Sequence, residues 1–397
     1  MSKKKILMLR WDGSAYDSLR HLQSLLAYEY TQCGFEIETV ELNAPGWNQK
    51  LIDVLRSQEV NFATGFSGVG AQINIETGVN IWEAFKTPFF NWNCDHICYN
   101  PKVHVVPCRW VLQGYVFPDH ARFVTKNFSR ETFAAHFGIP SFPASESEHK
   151  AGQNHNGRLI FAKSGASSNL RREGWRTKLP SLLYRILNNA IDKSLHGTVD
   201  DLYENLSDAA RGQNLEMEPC SAIALFAIRE LDMFVRAYRA ELVLDSLKAY
   251  PMDVFGSGWE HIRWSSYTGA RYCGSVKYGE LMDILPRYLG AVSTNPNIQD
   301  SVHDRVTLSL AASVVPLSES NRYSREFLPL IEDYAFAMQP DSIKSAAEKV
   351  LSEPELALKR TREQSQQHSK ENGLSFIALK ILDYVNLSQS LLQGRLG

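Results

Sequence analysis

One run of residues in the second half of the sequence is suited to binding an anion. His303, Asp304 and Arg305 follow an Asn-Pro turn and precede an apolar helical pattern, so they stand where a helix begins. The first amides of a helix attract negative charge, and an arginine beside them adds a full positive charge. Lys163, which follows a short apolar run, could reach the same anion. These residue types favour binding of an anion, although Asp304 could instead simply cap the helix.

A second set of polar residues lies in the first hundred positions. Asp95 and His96 follow one apolar segment, and Asp12 follows another. A carboxylate or an imidazole with a pKa near neutrality is suited to removing a proton from a hydroxyl group. We therefore expect Asp95 or His96 to act as a general base, with Asp12 as the next candidate. The structural alternative is that Asp95 caps the next turn and His96 packs on Trp92.

These residues follow short apolar runs that alternate with helical patterns. In the first 140 residues the runs predict strands at 5–10, 35–42, 60–66, 87–92 and 121–125. Strands that alternate with helices form a parallel, doubly wound sheet, which binds ligands beyond the carboxyl ends of its strands. Because the candidate residues follow such runs, we expect the sites to lie at that edge of each sheet.

The second half repeats this pattern around a long helical region. Further strands are predicted at 158–162, 253–255, 272–276, 290–294, 314–317 and 334–338. Residues 140–156 contain many turn formers and few apolar residues, which is typical of a linker. We therefore expect an N-terminal Rossmann-like domain at 1–145, a linker at 146–157 and a C-terminal Rossmann-like domain at 158–397. The C-terminal domain contains a helical insertion at about 178–250.

Composition excludes several other classes of protein. The chain has 397 residues, 44% hydrophobic and 22% charged, which is typical of globular domains rather than of disordered or fibrous chains. Lys and Arg number 42 against 44 Asp and Glu, which argues against a nucleic-acid partner. No apolar run approaches the ~20 residues of a membrane helix, and residues 1–10 lack a secretory signal pattern. Six cysteines are too sparse for a disulfide framework, so we expect a cytoplasmic protein.

Common cofactor and metal motifs are missing. The sequence has no Walker motif, nucleophile elbow, zinc-protease helix or kinase signature. Gly256 and Gly258 are followed by Trp259 without the third glycine of a dinucleotide fingerprint, which disfavours a nicotinamide cofactor. Cys94 and Cys98 have no second cysteine pair, and no Asp-x-Asp motif follows a strand. We therefore expect neither a cofactor nor a metal.

The order of motifs from about residue 232 to residue 338 resembles the nucleotide-sugar domain of GT-B glycosyltransferases. The matching motifs are, in order, Gly256-Ser257-Gly258-Trp259, Gly274-Ser275-Val276, Tyr278-Gly279-Glu280-Leu281, Asn295-Pro296, His303-Asp304-Arg305, a small-residue helix and Val315-Pro316-Leu317. The arrangement is most similar to the CgeB-like group, bacterial-type enzymes of spore maturation and surface glycans. The resemblance implies an α/β fold with two Rossmann-like domains that face a cleft, and a metal-independent transferase.

The resemblance also implies roles for individual residues. Those expected to contact the nucleotide sugar are Lys163, Gly256, Gly258, Trp259, Val276, Tyr278, Asp300, His303, Asp304 and Arg305. Trp259 would close over the sugar or base, and Val276 and Tyr278 would lie along the nucleobase. Retaining members often carry an acidic residue, seven further residues and then a glutamate that holds the ribose. Here Asp300 is followed by Leu308 in the second place, so the ribose contact and the stereochemical outcome stay open.

We therefore predict a glycosyltransferase that moves a sugar from a UDP- or GDP-linked donor to a hydroxyl-bearing acceptor. The acceptor could be a surface glycan, a protein or a small molecule. Two other classes remain open. A sugar-nucleotide epimerase or hydrolase of the same fold would turn over the donor without an acceptor. A non-catalytic binding module would bind a nucleoside diphosphate without turnover. The sequence leaves the acceptor and the oligomeric state unidentified.

Overall fold

The chain forms two compact units. The computed structural model describes residues 4–11, 18–128, 134–142, 155–196 and 201–394. Unit 1 comprises Met1–Pro140 and Asn372–Gly397, and unit 2 comprises Ser141–Glu371. Asp12 and most of the predicted linker, residues 146–154, lie outside the described residues. Among the described helices, none is long and apolar enough to cross a membrane.

Unit 1 is built on a parallel sheet of six strands. The strands are β1 (Lys5–Arg10), β2 (Glu36–Glu41), β3 (Val60–Phe66), β4 (Phe89–Asn93), β5 (Val111–Tyr115) and β6 (Ala134–His136), in the order β2-β1-β3-β4-β5-β6. β4 and β5 are buried at every residue, as expected of central strands with both faces covered. The order reverses between β1 and β3, so the topological switch point lies at their carboxyl ends.

One predicted strand of unit 1 is wrong. The helices that connect these strands are α1 (Ser18–Gln32), α2 (Trp47–Arg56), α3 (Ile81–Phe85), α4 (Pro101–His104) and α5 (Pro118–Asn127). The strand predicted at 121–125 lies within α5, which begins at Pro118 and buries Phe123 and Val124. A short buried helix and a short buried strand have the same apolar composition, so this run did not distinguish them.

Unit 2 is built on a parallel sheet of five strands. The strands are β7 (Leu159–Ala162), β8 (Met252–Phe255), β9 (Ala270–Tyr272), β10 (Gly290–Ser293) and β11 (Val315–Ser318), in the order β11-β10-β7-β8-β9. This is the order of a Rossmann sheet, and its switch point falls between β7 and β10. The strand predicted at 334–338 is wrong. Pro329–Tyr334 is a 3-10 helix, and Phe336 pairs with Glu319 through an isolated bridge.

The predicted helical insertion is part of the core of unit 2. The helices of this unit are α6 (Ser168–Lys178), α7 (Ser181–His196), α8 (Leu202–Arg211), α9 (Ala222–Ser246), α10 (Tyr278–Ile284), α11 (Asp304–Ala311), α12 (Arg322–Phe327), α13 (Pro340–Ser352) and α14 (Pro354–Asn372). α9 begins after Ser221, whose hydroxyl accepts from the amide of Ala224. Leu231 and Val235 are fully buried, and α9 packs on α6, α7 and α8. A long helix of the insertion is thereby fixed within the unit.

The last helix, α15 (Leu374–Gly394), belongs to unit 1. It packs on α1, and the ring of Tyr384 lies 6.2 Å from that of Phe90 and 5.6 Å from that of Phe137. The predicted C-terminal domain, 158–397, therefore differs from the structure at its end. The apolar spacing of α15 indicates a core-facing helix, but spacing alone does not identify which core the helix joins.

Candidate functional site

The loops after β7 and β8 pack closely against each other at the carboxyl edge of unit 2. The amide of Gly165 donates to the carbonyl of Ser257 at 2.7 Å. A Cβ atom at Gly256 would lie 2.3 Å from the carbonyl oxygen of Lys163, and one at Gly258 would lie 2.2 Å from that of Gly165. Gly256 and Gly258 also have φ of +129° and +84°. Both glycines are therefore required by the approach of one loop to the other, rather than by the approach of a ligand.

Trp259 supports the same two loops from the interior. Its side chain is fully buried, and its Nε1 donates to the carbonyl of Lys163 at 2.8 Å. The ring also occupies the space next to Gly165, where a Cβ atom would lie 2.3 Å from it. The expectation that Trp259 closes over a sugar or base does not fit this position, because a fully buried ring has no surface to offer a ligand.

Lys163 and Arg305 meet at the switch point of the sheet. Lys163 directly follows β7, and Nη1 of Arg305 donates at 2.8 Å to the carbonyl of Ala162, the last residue of that strand. Both side chains are half-buried. Burial and the positive charge of Arg305 lower the pKa of Lys163 well below its ordinary value, and burial lowers the pKa of Arg305 as well. Two cations held this close favour the arrival of an anion.

His303 contacts the guanidinium of Arg305 and the carboxylate of Asp304. Nε2 of His303 lies 3.0 Å from Nη2 of Arg305, and Nδ1 of His303 contacts the carboxylate of Asp304. Nδ1 also faces two donors of Arg305, the backbone amide at 3.3 Å and Nε at 3.2 Å. Burial and Arg305 lower the pKa of His303 to about 4. Burial opposes the ionisation of Asp304, but His303 and Arg305 together lower its pKa to about 2.

The start of α11 also settles which residue caps that helix. α11 begins at Asp304, so His303 occupies the N-cap position and Asp304 is the first helical residue. The structural alternative for Asp304, that it simply caps the helix, therefore does not hold. At neutral pH the group consists of a neutral imidazole, a carboxylate and the cation of Arg305.

Helix α9 places a row of charged side chains along the same edge. Asp232, Arg236 and Arg239 follow one another at spacings of four and three, which puts them on one face of the helix. Asp232 is 4% exposed, its Oδ2 lies 2.7 Å from Nε of Arg236, and its Oδ1 accepts from Nδ2 of Asn297 at 2.5 Å. Nη1 of Arg239 lies 3.4 Å from Oε1 of Glu319, which follows β11.

Sequence reasoning missed this charged row. Apolar residues recur there at helical spacing and predict a helix with one core-facing side: Leu231, Val235, Tyr238 and Leu242. The spacing Asp-x-x-x-Arg-x-x-Arg was visible in the sequence and could have indicated a second, polar face. What the sequence did not show is that this face turns toward the ends of the strands.

Three further predicted residues of unit 2 lie in the segments that follow β9 and β10. Asp300 pairs with Arg322 of α12. Tyr278 is the first residue of α10, and burial together with the charge of Asp304 raises its pKa. Val276 is half-buried and lies two residues before that helix. The structure thus brings Tyr278 toward the anion cluster, whereas Asp300 is engaged by a neighbouring arginine.

The corresponding edge of unit 1 carries a buried network of amide side chains. Asn91, Asn93 and Gln113 are at most 1% exposed. Nδ2 of Asn91 donates to Oε1 of Gln113 at 2.9 Å and to Oδ1 of Asn93 at 3.1 Å. Its Oδ1 accepts from the amide of Gly68 at 2.8 Å, in the loop after β3. Buried amides that satisfy one another form a rigid, uncharged support for this loop.

Asp95 and His96 follow β4 immediately beyond this network. Asp95 is exposed. Nδ1 of His96 accepts from the amide of Cys98 at 3.3 Å, and the ring packs on α5, 5.1 Å from that of His120 and 4.7 Å from that of Phe123. Because Nδ1 accepts, the proton of the neutral ring lies on Nε2. His96 in this form is a hydrogen-bond donor at Nε2. Among the described residues, no group of three or more His, Cys, Asp or Glu side chains is arranged to hold a metal ion.

Solved structures share this architecture over almost the whole chain. Sucrose-phosphate synthase from Thermosynechococcus elongatus has a TM-score of 0.52 at 7% identity, covering 99% of this chain and 100% of that one. An α-glucosyltransferase in complex with UDP and a 13-mer DNA has a TM-score of 0.54 at 7% identity, covering 97% and 100%. A glycosyltransferase from Rickettsia africae ESF-5 has a TM-score of 0.50 at 10% identity, covering 98% and 99%.

Sequence comparison gives no corresponding match. No protein-family model and no curated protein matches the chain. At identities of 7 to 10% the structural likeness shows the fold, and the resemblance to the CgeB-like group stays a prediction. The chain has the fold of the GT-B glycosyltransferases, with two α/β domains that are each built on a parallel sheet.

Proposed function

We propose that the protein is a glycosyltransferase that moves a sugar from a nucleotide-sugar donor to a hydroxyl-bearing acceptor. The observation that carries this proposal is the pairing of Lys163 and Arg305 at the switch point of unit 2. Ligands of open α/β sheets bind at this edge, and adjacent cations with the first amides of α11 suit a diphosphate. The fold shared with glycosyltransferases makes a nucleotide sugar, UDP- or GDP-linked, the first source of that diphosphate to test.

The same residues suit the chemistry of the leaving group. The bond between the sugar's anomeric carbon and the diphosphate breaks as the acceptor oxygen attacks, so negative charge develops on the diphosphate. Arg305 and protonated Lys163 would offset that charge. Arg305 is already fixed by His303 and by the carbonyl of Ala162, and a preorganised cation costs little reorganisation at the moment of reaction. We therefore expect transfer to proceed without a metal ion.

We assign the acceptor to unit 1 and propose Asp95 as its general base. The carboxylate is exposed beyond the end of β4, and His96 would act as a hydrogen-bond donor that positions the acceptor. Asp12 is the next candidate for the base. Within this proposal the enzyme is of the CgeB-like group, and its acceptor is a glycan, a protein or a small molecule.

The proposal is tested by measuring nucleoside diphosphate binding and donor turnover in Arg305→Ala. Losing a charge-assisted hydrogen bond costs about 1.5–3 kcal/mol, so we expect affinity to fall by about 10- to 150-fold. Arg305→Lys retains the charge and should lose less. Arg325→Ala, at an exposed arginine of α12, is the matched control and should bind as the wild type does.

The outcomes separate the possible functions. Unchanged affinity in a folded Arg305→Ala protein would remove the diphosphate role. Donor turnover that needs no acceptor would indicate an epimerase or hydrolase, and binding without any turnover would indicate a binding module. Transfer activity that is lost in EDTA and restored by magnesium or manganese would contradict the metal-independent mechanism.

A further inference from the structure

We propose that Arg236, which pairs with the Asn297-bonded carboxylate of Asp232, is a third cation of the diphosphate site, so that helix α9 is part of the donor-binding surface. The inference rests on the proposed function, because it concerns the same anion. It adds a residue from the helical insertion to a site otherwise built from strand ends and α11. It also assigns a positioning role to Asp232, a buried carboxylate with no place in the mechanism given above.

The first argument is the way in which Arg236 is held. Asp232 is 4% exposed, and a carboxylate buried to that degree needs charged or hydrogen-bonding partners. Arg236 supplies one of them at 2.7 Å and Asn297 another at 2.5 Å. Because Asp232 lies one helical turn before Arg236 and is itself held from the other side, the position of the guanidinium is fixed.

The second argument is the position of Asn297. This residue has φ of +51°, in the left-handed region that asparagine adopts more readily than most residues other than glycine. Asn297 lies in the loop between β10 and α11, which ends at His303, next to Arg305. Its bond to Asp232 therefore ties α9 to the loop that carries the anion cluster.

The third argument is that Arg236 adds its positive charge to those of Lys163 and Arg305. Arg236 is close enough to Lys163 and Arg305 that its charge contributes to lowering the pKa of each. Asp232 and Glu319 offset part of this effect on Lys163. The three cations come from the loop after β7, from α9 and from α11, and in this proposal an anion with two phosphate groups contacts all of them. A single phosphate offers fewer oxygens and less charge to divide among three side chains.

The test uses inorganic pyrophosphate and inorganic phosphate as probes of the site in the full chain. Arg236→Gln should lower the affinity for pyrophosphate by about tenfold or more, with a smaller effect on phosphate. Arg236→Lys should lie between this variant and the wild type. Arg229→Ala is the matched control, because Arg229 lies on the same helix with its guanidinium over the ring of Phe226, and its affinity should not change.

Asp232 is tested by a double-mutant cycle with Arg236. If Asp232 acts by positioning Arg236, Asp232→Asn should weaken pyrophosphate binding in the wild type and have no further effect in Arg236→Gln. Equal losses in both backgrounds would overturn the positioning role. Because Arg236→Gln leaves a buried carboxylate without its cation, the double variant Asp232→Asn/Arg236→Gln also provides a folded form in which the cation is absent.

The remaining outcomes separate this inference from the proposed function. If the double variant binds pyrophosphate as tightly as the wild type while Arg305→Ala binds it weakly, the inference on Arg236 is overturned and the donor site stands. If the wild type binds neither pyrophosphate nor any nucleoside diphosphate, the donor site itself is wrong, and the role of Arg236 is overturned with it.

Discussion

The carboxyl edges of the two sheets differ in their chemistry. In unit 1 the described residues at the ends of β4 and β5 include buried amides, Asn91 and Gln113, that satisfy each other. In unit 2 two cations lie beyond the ends of the strands, Lys163 after β7 and Arg305 in α11. An amide network is complete without a ligand, whereas cations held together gain stability from an anion. In the proposed function, unit 2 binds the anionic donor and unit 1 binds the acceptor.

The largest effect should come from removing the base of unit 1. Asp95→Asn should lower the turnover number by about 10²–10⁴ because general-base catalysis contributes that much, while nucleotide affinity stays nearly unchanged. Asp53→Asn, at an exposed carboxylate of α2, is the control. Steady-state transfer kinetics and nucleotide binding are measured in parallel.

Two results would contradict these roles of the two units. If Asp95→Asn and His96→Ala both keep wild-type turnover, the base lies elsewhere and Asp12 becomes the next candidate. If nucleotide binding falls together with turnover, the edge of unit 1 binds the donor. The assignment of the donor to unit 2 and of the acceptor to unit 1 is then wrong.

The neutral character of the unit 1 edge predicts a loss of stability when a charge is introduced there. Asn91→Asp replaces an amide donor that faces Gln113, Asn93 and the carbonyl of Val103. A carboxylate cannot donate to these oxygens, so we expect the free energy of unfolding to fall by about 2–3 kcal/mol. Denaturant unfolding measures this. Asn386→Asp on the exposed side of α15 should change it by less than about 0.5 kcal/mol, and a similarly small change at Asn91 would contradict the account.

Buried histidines should make the stability of the protein depend on pH, and we expect the histidine of each unit to contribute in the same direction. Burial lowers the pKa of His104 in unit 1 to about 3 and that of His303 in unit 2 to about 4. Both folded-state values lie below the ordinary value of 6.5 in the unfolded chain, so the unfolded state takes up protons first as the pH falls. Stability should therefore decrease from about pH 6.5 toward pH 4, by at most about 1.4 kcal/mol per pH unit for each histidine. Unfolding of His104→Gln and His303→Gln across this range should show a shallower slope, and an unchanged slope in both would contradict the neutral assignment.

The sequence was sufficient for much of the fold because apolar runs and turn residues mark strands locally. It predicted β1 and β3 at the bounds that the structure has, and it indicated Lys163 and Arg305 from their places after a strand and before a helix. The switch-point rule then places both residues at one edge without further information.

The sequence could not show which other elements a helix or a side chain packs against. The period of α15 indicates a buried face, yet only packing on α1 shows that the helix belongs to unit 1. Trp259 is equally consistent with a lid and with a core residue until its indole is found bonded to Lys163. The charged row that begins at Asp232 could be connected to the anion cluster only through the structure, which shows the hydrogen bond from Asn297 to Asp232.

The most direct test of the account is calorimetric titration of the wild type and Lys163→Met with UDP and uridine, and with GDP and guanosine. For the preferred base, we expect the diphosphate to bind about 100-fold more tightly than its nucleoside, because two cations contact the phosphates. At a pH above the lowered pKa of Lys163, binding should take up protons because an anion raises that pKa, and affinity should fall as the pH rises further. Lys163→Met should lose most of the preference and the proton uptake. Nucleosides that bind the wild type as tightly as their diphosphates would contradict the claim that the charged edge of unit 2 is the donor site.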